Sequence, residues 1–374
     1  MYSESDLAGA VEAGVLTPEA AEAFRNHIAA SRSAPAVDEE HFRLLTGFND
    51  IFVAIAAALI LVAVGWIGFY IGATVTGLEH DEGPRSVGTA AACGSFAVAI
   101  TSWLLAEYFT AKRRMALPSI LLLLGFAGGI FTGLAAVFGA NAPWLAEQLG
   151  IAFNDELGLK RLAGASVIAV GVLTAAATWI HWRRFMVPIT VAVGAVALVS
   201  VVIGAIVAFV PGSDSALNWM LLAAGVLVFG FAMRWDMSDL ERRSRRSDVA
   251  FWLHLAAAPL IAHPVFNLLG VFDGDISVMM ALVVLALYIG FAAVALAVDR
   301  RALLVSSLIY VLGAMYALFE KTGAVELAAA LTALVIGSAL LTLSAFWQPM
   351  RRGVVGVLGG LGDHLPPTQQ PALA

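Results

Sequence analysis

The chain is poor in charge, nearly free of cysteine, and has no acidic residue near the middle of any apolar run. Only 13% of its 374 residues are Asp, Glu, Lys or Arg, roughly half the share usual in a soluble protein. Cysteine occurs once, as Cys93. That excludes an intrachain disulfide and a thiolate zinc site, and it leaves the redox compartment unread. None of the 27 acidic residues falls near the middle of an apolar run, and Asp50 and Glu107 lie at run ends. Proton- and sodium-coupled transporters commonly use a carboxylate at membrane depth. Its absence counts against that class, though not against uniport, lipid movement or coupling through histidine. A phosphate-binding glycine loop, an HExxH pair and a serine nucleophile elbow are all missing. No motif therefore names a reaction, no cofactor is implied, and the reading leans away from an enzyme. With a net charge of −6, no nucleic-acid partner is expected either.

What the chain has in abundance is apolar length. Sixty per cent of it is hydrophobic, and ten apolar runs stand out. They cover residues 51–73, 87–107, 118–140, 162–182, 186–209, 217–235, 249–271, 277–298, 302–319 and 327–347. Each is near the roughly 20 residues that a helix needs to cross hydrocarbon. There the backbone must satisfy its own hydrogen bonds, which favours helices throughout. Ten buried helices of a soluble protein would leave too little polar sequence to cover them. The expected fold is all-α, a polytopic transmembrane helical bundle of about ten spans in a lipid bilayer.

Orientation follows from the arginines and lysines. Seventeen lie before the first run, after the last, or in alternate connections, and only Arg85, Lys160, Arg161 and Lys321 lie on the other side. Basic residues accumulate on the cytoplasmic side, so both termini are expected inside. A missed or extra span would have reversed the bias downstream of it. The opposite loops are acidic, with Glu79, Asp81 and Glu82 in one and Asp273 and Asp275 in another. Tryptophans such as Trp103, Trp182, Trp235 and Trp347 fall near run ends, where amphipathic rings sit at headgroup level.

Residues 1–49 form a cytoplasmic unit, expected as a helical hairpin and linker without a secretory signal. Ser3 with Asp6 suggests a capping box, Leu7 and Val11 an apolar stripe, and Gly14 a helix end. Thr17 and Pro18 then open a second helix, with Glu19 in its first turn and Phe24 and Ile28 on its apolar face. So small an apolar set cannot stabilise 30 residues alone. Acids outnumber bases eight to three in residues 1–49, and an anionic leaflet repels such a segment. A protein partner at residues 1–31 is the sharper reading, a solvated appendage the plainer one. The membrane domain spans residues 50–347. Residues 348–374 are expected as a cytoplasmic tail, in part at the interface and in part disordered.

Two constellations stand out within the runs. The seventh, FWLHLAAAPLIAHPVFNLLG, carries His254, His263 and Asn267 with Pro259 and Pro264 between them. Ionisable groups in a span are by default a candidate site, and prolines release carbonyls. His263 and Asn267 are four apart and share a face, while His254 is about half a turn out of phase. The plainer reading pairs these groups with neighbouring helices. Metal or haem ligation would need more ligands, and His80 and His181 are poorly placed to provide them. In the third run, Gly125, Gly129 and Gly133 recur every four residues, a spacing that lets helices approach closely. Packing inside the bundle is the first reading of this stripe, and a homo-oligomer face the second.

The turns RRMALPSILLLLG, RRFMVPITVAVG and RRALLVSSLIYVLG resemble one another, as duplicated two-helix units would, although the bias of basic residues toward cytoplasmic turns also places arginines there. The segment AVEAGVLTPEAAEAF, the spans and the ending FWQPMRRGVVGVLGGLGDHLPP together resemble a broad group of bacterial inner-membrane proteins of the domain-of-unknown-function type. Members begin with a helical hairpin and close with an Arg-containing segment and a Leu-Pro stretch. The match covers about 40 residues at the two ends and implies a multi-pass protein of the bacterial inner (cytoplasmic) membrane. It carries no activity and no functional residue. The expected function is a scaffold, accessory subunit or regulator that docks a partner through its hairpin. The alternative is a transporter or lipid-handling protein with a pathway beside the seventh span.

Overall fold

The computed structural model describes residues 4–31, 48–77, 83–210, 212–240, 242, 244–271, 277–321 and 327–367. Two short helices come first, α1 (Glu4–Glu12) and α2 (Pro18–Ser31). Gly14 adopts a left-handed φ of 69° between them, a conformation that costs glycine little. The Thr17 hydroxyl accepts the Ala20 amide at 3.1 Å, capping α2. Ser3 and the expected capping box lie outside the described residues.

Ten long apolar helices follow. They are α3 (Phe48–Thr76), α4 (Pro84–Phe109), α5 (Ala116–Gln148), α6 (Glu156–Phe185), α7 (Ile189–Phe209), α8 (Leu217–Met237), α9 (Arg245–Leu268), α10 (Val278–Val298), α11 (Ala302–Lys321) and α12 (Ala328–Ala345). No strand occurs among the described residues. The outward faces are apolar: Phe52, Leu59, Val62 and Trp66 on α3, Leu227 on α8 and Leu341 on α12 are all exposed. A water-soluble bundle does not tolerate contiguous apolar surface on this scale. This is a multi-pass membrane protein.

Local chemistry sets the boundaries. Asp155 caps α6 by accepting the Gly158 amide at 2.9 Å, and Ser277 caps α10 through the Met280 amide at 3.1 Å. α6 ends at Met186, in left-handed conformation two residues before Pro188. α5 runs eight residues beyond its apolar stretch. Asn141, where the stretch ends, folds its side-chain amide back onto the Val137 carbonyl at 2.8 Å. The polar residue is thereby satisfied within the helix and does not end it.

Small residues bring the first three spans together. A Cβ on Gly68 would lie 2.9 Å from the Gly94 Cα. On Gly125 it would meet the Ser102 hydroxyl at 2.5 Å, on Gly129 the Ser95 carbonyl at 2.5 Å, and on Gly133 the Phe96 ring at 2.8 Å. The glycine stripe of α5 is thus filled by α4 of the same chain. Gly164 and Gly204 play the same part between α6 and α7.

The second half has a larger core. Phe266, Val284, Leu296, Leu304 and Val311 of α9 to α11 form one buried cluster with Ile336 of α12 and with Trp347 beyond it. A thirteenth helix, α13 (Trp347–Leu358), packs against α10, and a 3-10 turn (Gly359–His364) and an extended stretch to Pro367 follow it. Trp347, Arg351 and Val354 share a face at helical spacing and turn it inward. Residues 368–374 lie outside the described residues.

Candidate functional site

α9 runs unbroken through Pro259 and Pro264. Pro264 cannot donate to the carbonyl of Leu260, and Gly225 of α8 lies against that point. A Cβ on Gly225 would come within 2.8 Å of the Leu260 carbonyl carbon. Gly225 is therefore where the neighbouring backbone closes on the site of the missing hydrogen bond.

The three polar residues singled out on α9 do not converge. Asn267, the penultimate residue of the helix, accepts a 2.9 Å hydrogen bond from the Asn218 amide at the start of α8. The His263 Nδ1 is 2.9 Å from the Tyr310 hydroxyl of α11. His254 lies fully buried nearer the arginine-rich end, its Nε2 2.8 Å from Asp236 Oδ2 on α8. Each bond joins α9 to a different part of the bundle.

His254 belongs to a buried charged network that the sequence does not reveal. Asp236 is 1% exposed and Arg300 3%. The Arg300 guanidinium clasps Asp236 with two nitrogens, Nε at 3.2 Å from Oδ2 and Nη2 on Oδ1, and Nη2 also donates to the Ser247 carbonyl at 3.1 Å. Singly, the Asp236 charge opposes a helix dipole, for it is in the last turn of α8, and Arg300 stands between the end of α10 and the start of α11. Pairing with Arg300 cancels that penalty.

Its neighbour Asp299 ends α10 in left-handed conformation (φ 59°), which a short polar side chain tolerates. Its carboxylate accepts Arg242 Nη1 at 2.9 Å and Trp347 Nε1 at 2.6 Å, with Arg351 Nε 3.6 Å away. Arg242 Nη2 donates to the carbonyls of Val298 and Asp299 at 3.2 and 3.0 Å, capping the negative end of α10. Arg351, wholly buried on α13, donates to the carbonyls of Pro366 and Pro367. One connected set of charges thus ties α8, α9, the α10–α11 turn, α13 and the Leu-Pro stretch together.

The first half has a smaller counterpart. His181 is buried among the rings of Trp103, Phe126 and Phe185, with centroids 4.6 to 5.9 Å away, and Thr190 Oγ1 is 3.4 Å from its Nδ1. Nearby, the exposed Arg184 pairs with Glu107 at 3.0 Å and joins α6 to α4. No group of three His, Cys, Asp or Glu side chains spaced to hold a metal occurs among the described residues.

Compared with protein-family models, with curated proteins and with solved structures, the chain matches none. What the site can do is thus argued from its chemistry alone. The Asp236 carboxylate faces three donor nitrogens and almost no solvent. Both Asp299 oxygens are likewise engaged. Carboxylates held this way brace helices; an incoming substrate would first have to displace an arginine. Sequence reading misses this brace because Asp236 and Arg300 are 64 residues apart. Both fall in segments where charges are expected at a membrane surface.

Proposed function

We propose that the chain is a non-enzymatic scaffold, accessory subunit or regulator of a bacterial inner membrane. Its arginine-rich end faces the cytoplasm, and α1 and α2 dock a protein partner. The observation that carries this reading is the pairing of the α9 polar groups. His254, His263 and Asn267 are each bonded within the chain, to Asp236, Tyr310 and Asn218, so their chemistry is used in holding helices together. The hairpin, in contrast, is acidic and carries Val15 exposed at its turn, a surface suited to a partner with basic and apolar groups. Deleting residues 1–31 tests the reading. The ten-span domain should insert and melt as before while the chain's function in its host is lost. Retention of full function would overturn the docking role.

One observation favours the second reading, lipid handling. An apolar cavity of about 390 Å³ lies between α6, α7, α8 and α9, lined by Val167, Val199, Ile203, Leu221 and Leu260. It touches α9 at Leu260. Such a lining suits hydrocarbon, not an ion. If this reading holds, lipid movement by the reconstituted protein survives loss of residues 1–31 and stops when Ser200 at the cavity wall is replaced by Trp.

A further inference from the structure

We propose that a groove between α10, α11 and α12 binds an anionic phospholipid from the leaflet at the arginine-rich end. One acyl chain would lie in the groove, with the phosphate on Arg301. The site is independent of partner docking by the hairpin.

The groove encloses about 210 Å³, and its walls are hydrocarbon: Leu304, Val305 and Leu308 of α11 face Leu340 and Leu343 of α12. On α12, Leu334, Val335 and Leu341 are exposed beside it. Among bilayer components, an acyl chain matches a lining of this kind.

The mouth is polar and positively charged. Trp347 is 3% exposed and its ring is fixed by the bond from Nε1 to Asp299. The Arg301 guanidinium lies 4.9 Å from the centre of that ring. Stacking on an immobile ring orders a long side chain in advance, and a guanidinium so held offers a planar fork to a phosphate. The Ser344 hydroxyl lines the same mouth. Tyr288 of α10 also lines the groove, with a buried hydroxyl that has no hydrogen-bond partner. A buried hydroxyl without a partner is costly, and an oxygen of a bound lipid would satisfy it. Charge at the mouth and hydrocarbon along the walls match the headgroup and an acyl chain of one phospholipid.

Native mass spectrometry of the delipidated full-length chain, with phosphatidylglycerol or phosphatidylcholine added back, tests this. Wild type should hold one phosphatidylglycerol in preference to phosphatidylcholine. Arg301→Gln should cut that preference by about fivefold, the effect of one arginine at an anionic surface. Val305→Trp, which fills the groove from an exposed position, should reduce both lipids. Leu341→Trp, exposed outside the groove, should change neither. Equal retention of both lipids with no effect of Arg301→Gln would overturn the proposal. So would undiminished binding in Val305→Trp, or displacement of the lipid by soluble glycerol phosphate alone.

Discussion

Replacing Asp236 with Asn should be among the most damaging single changes in this chain. The substitution keeps the shape of the side chain and removes its charge. Arg300, 3% exposed, would then be left with the Ser247 carbonyl and a neutral amide oxygen. Breaking a buried ion pair from one side typically costs about 3–5 kcal/mol, because the other charge remains buried and uncompensated. The clasp here is bidentate and His254 shares the same carboxylate, so the upper part of that range is expected. The exposed pair of Arg184 with Glu107 sets the contrast. Its side chains are 52% and 35% exposed, and Glu107→Gln should cost less than about 1 kcal/mol. A third variant separates charge from packing. Replacing Asp236, His254 and Arg300 together with Leu, Leu and Met removes the whole polar group. Apolar replacement of a complete buried ion set is often neutral or stabilising, so this variant should recover most of the loss. Reversible unfolding in mixed micelles, followed by tryptophan fluorescence, measures all three. If Asp236→Asn melts with wild type, or the triple variant is no better than the single one, the brace does not carry the stability assigned to it.

Three further outcomes follow from the same geometry. Gly129→Leu should lower the melting temperature, because its Cβ would meet the Ser95 carbonyl at 2.5 Å and overpacking costs about 1–3 kcal/mol. Gly128→Leu, with nothing within 4 Å, should not, and equal effects would remove the packing role of the stripe. Leu at both His263 and Asn267 should cost only about 0.6 kcal/mol per lost interhelical bond and leave function intact; lost function in a normally melting double variant would refute the scaffold reading. Arg351→Ala should free the stretch to Pro367 from α13, seen as faster cleavage there by a protease that leaves the wild-type chain intact.

Much of this fold is legible in the sequence because membrane helices declare themselves by length and composition. The ten apolar runs and the ten helices agree to within a few residues at most ends. The largest difference, at α5, comes from one asparagine that bonds to its own helix. Hairpin features such as Gly14 and Thr17 are readable for a similar reason: turn and cap chemistry is local. The charged brace is not local. Nothing near Asp236 or Asp299 in the chain distinguishes them from ordinary interfacial charges, and their partners come from other helices. Arg242, Arg300 and Arg351 are among the seventeen basic residues used to orient the protein, yet all three face inward onto carboxylates or carbonyls. The fourteen that remain still outnumber the four opposite, so the expected orientation does not depend on them. Hydropathy shows that His254 is at membrane depth, but only the packed structure shows that Asp236 accompanies it.

The account rests most directly on ten crossings with the arginine-rich end in the cytoplasm. Cys93, the single native cysteine, is exposed on α4 and can be replaced by Ala. Single cysteines are then placed at Lys112 and Ser238 on one end and at Asn154 and Ser215 on the other, all exposed. Labelling of intact cells with a membrane-impermeant thiol reagent should modify positions 154 and 215 and spare 112 and 238 until the cells are opened. Labelling of 112 or 238 in intact cells, or of only one of the pair 154 and 215, would contradict the topology.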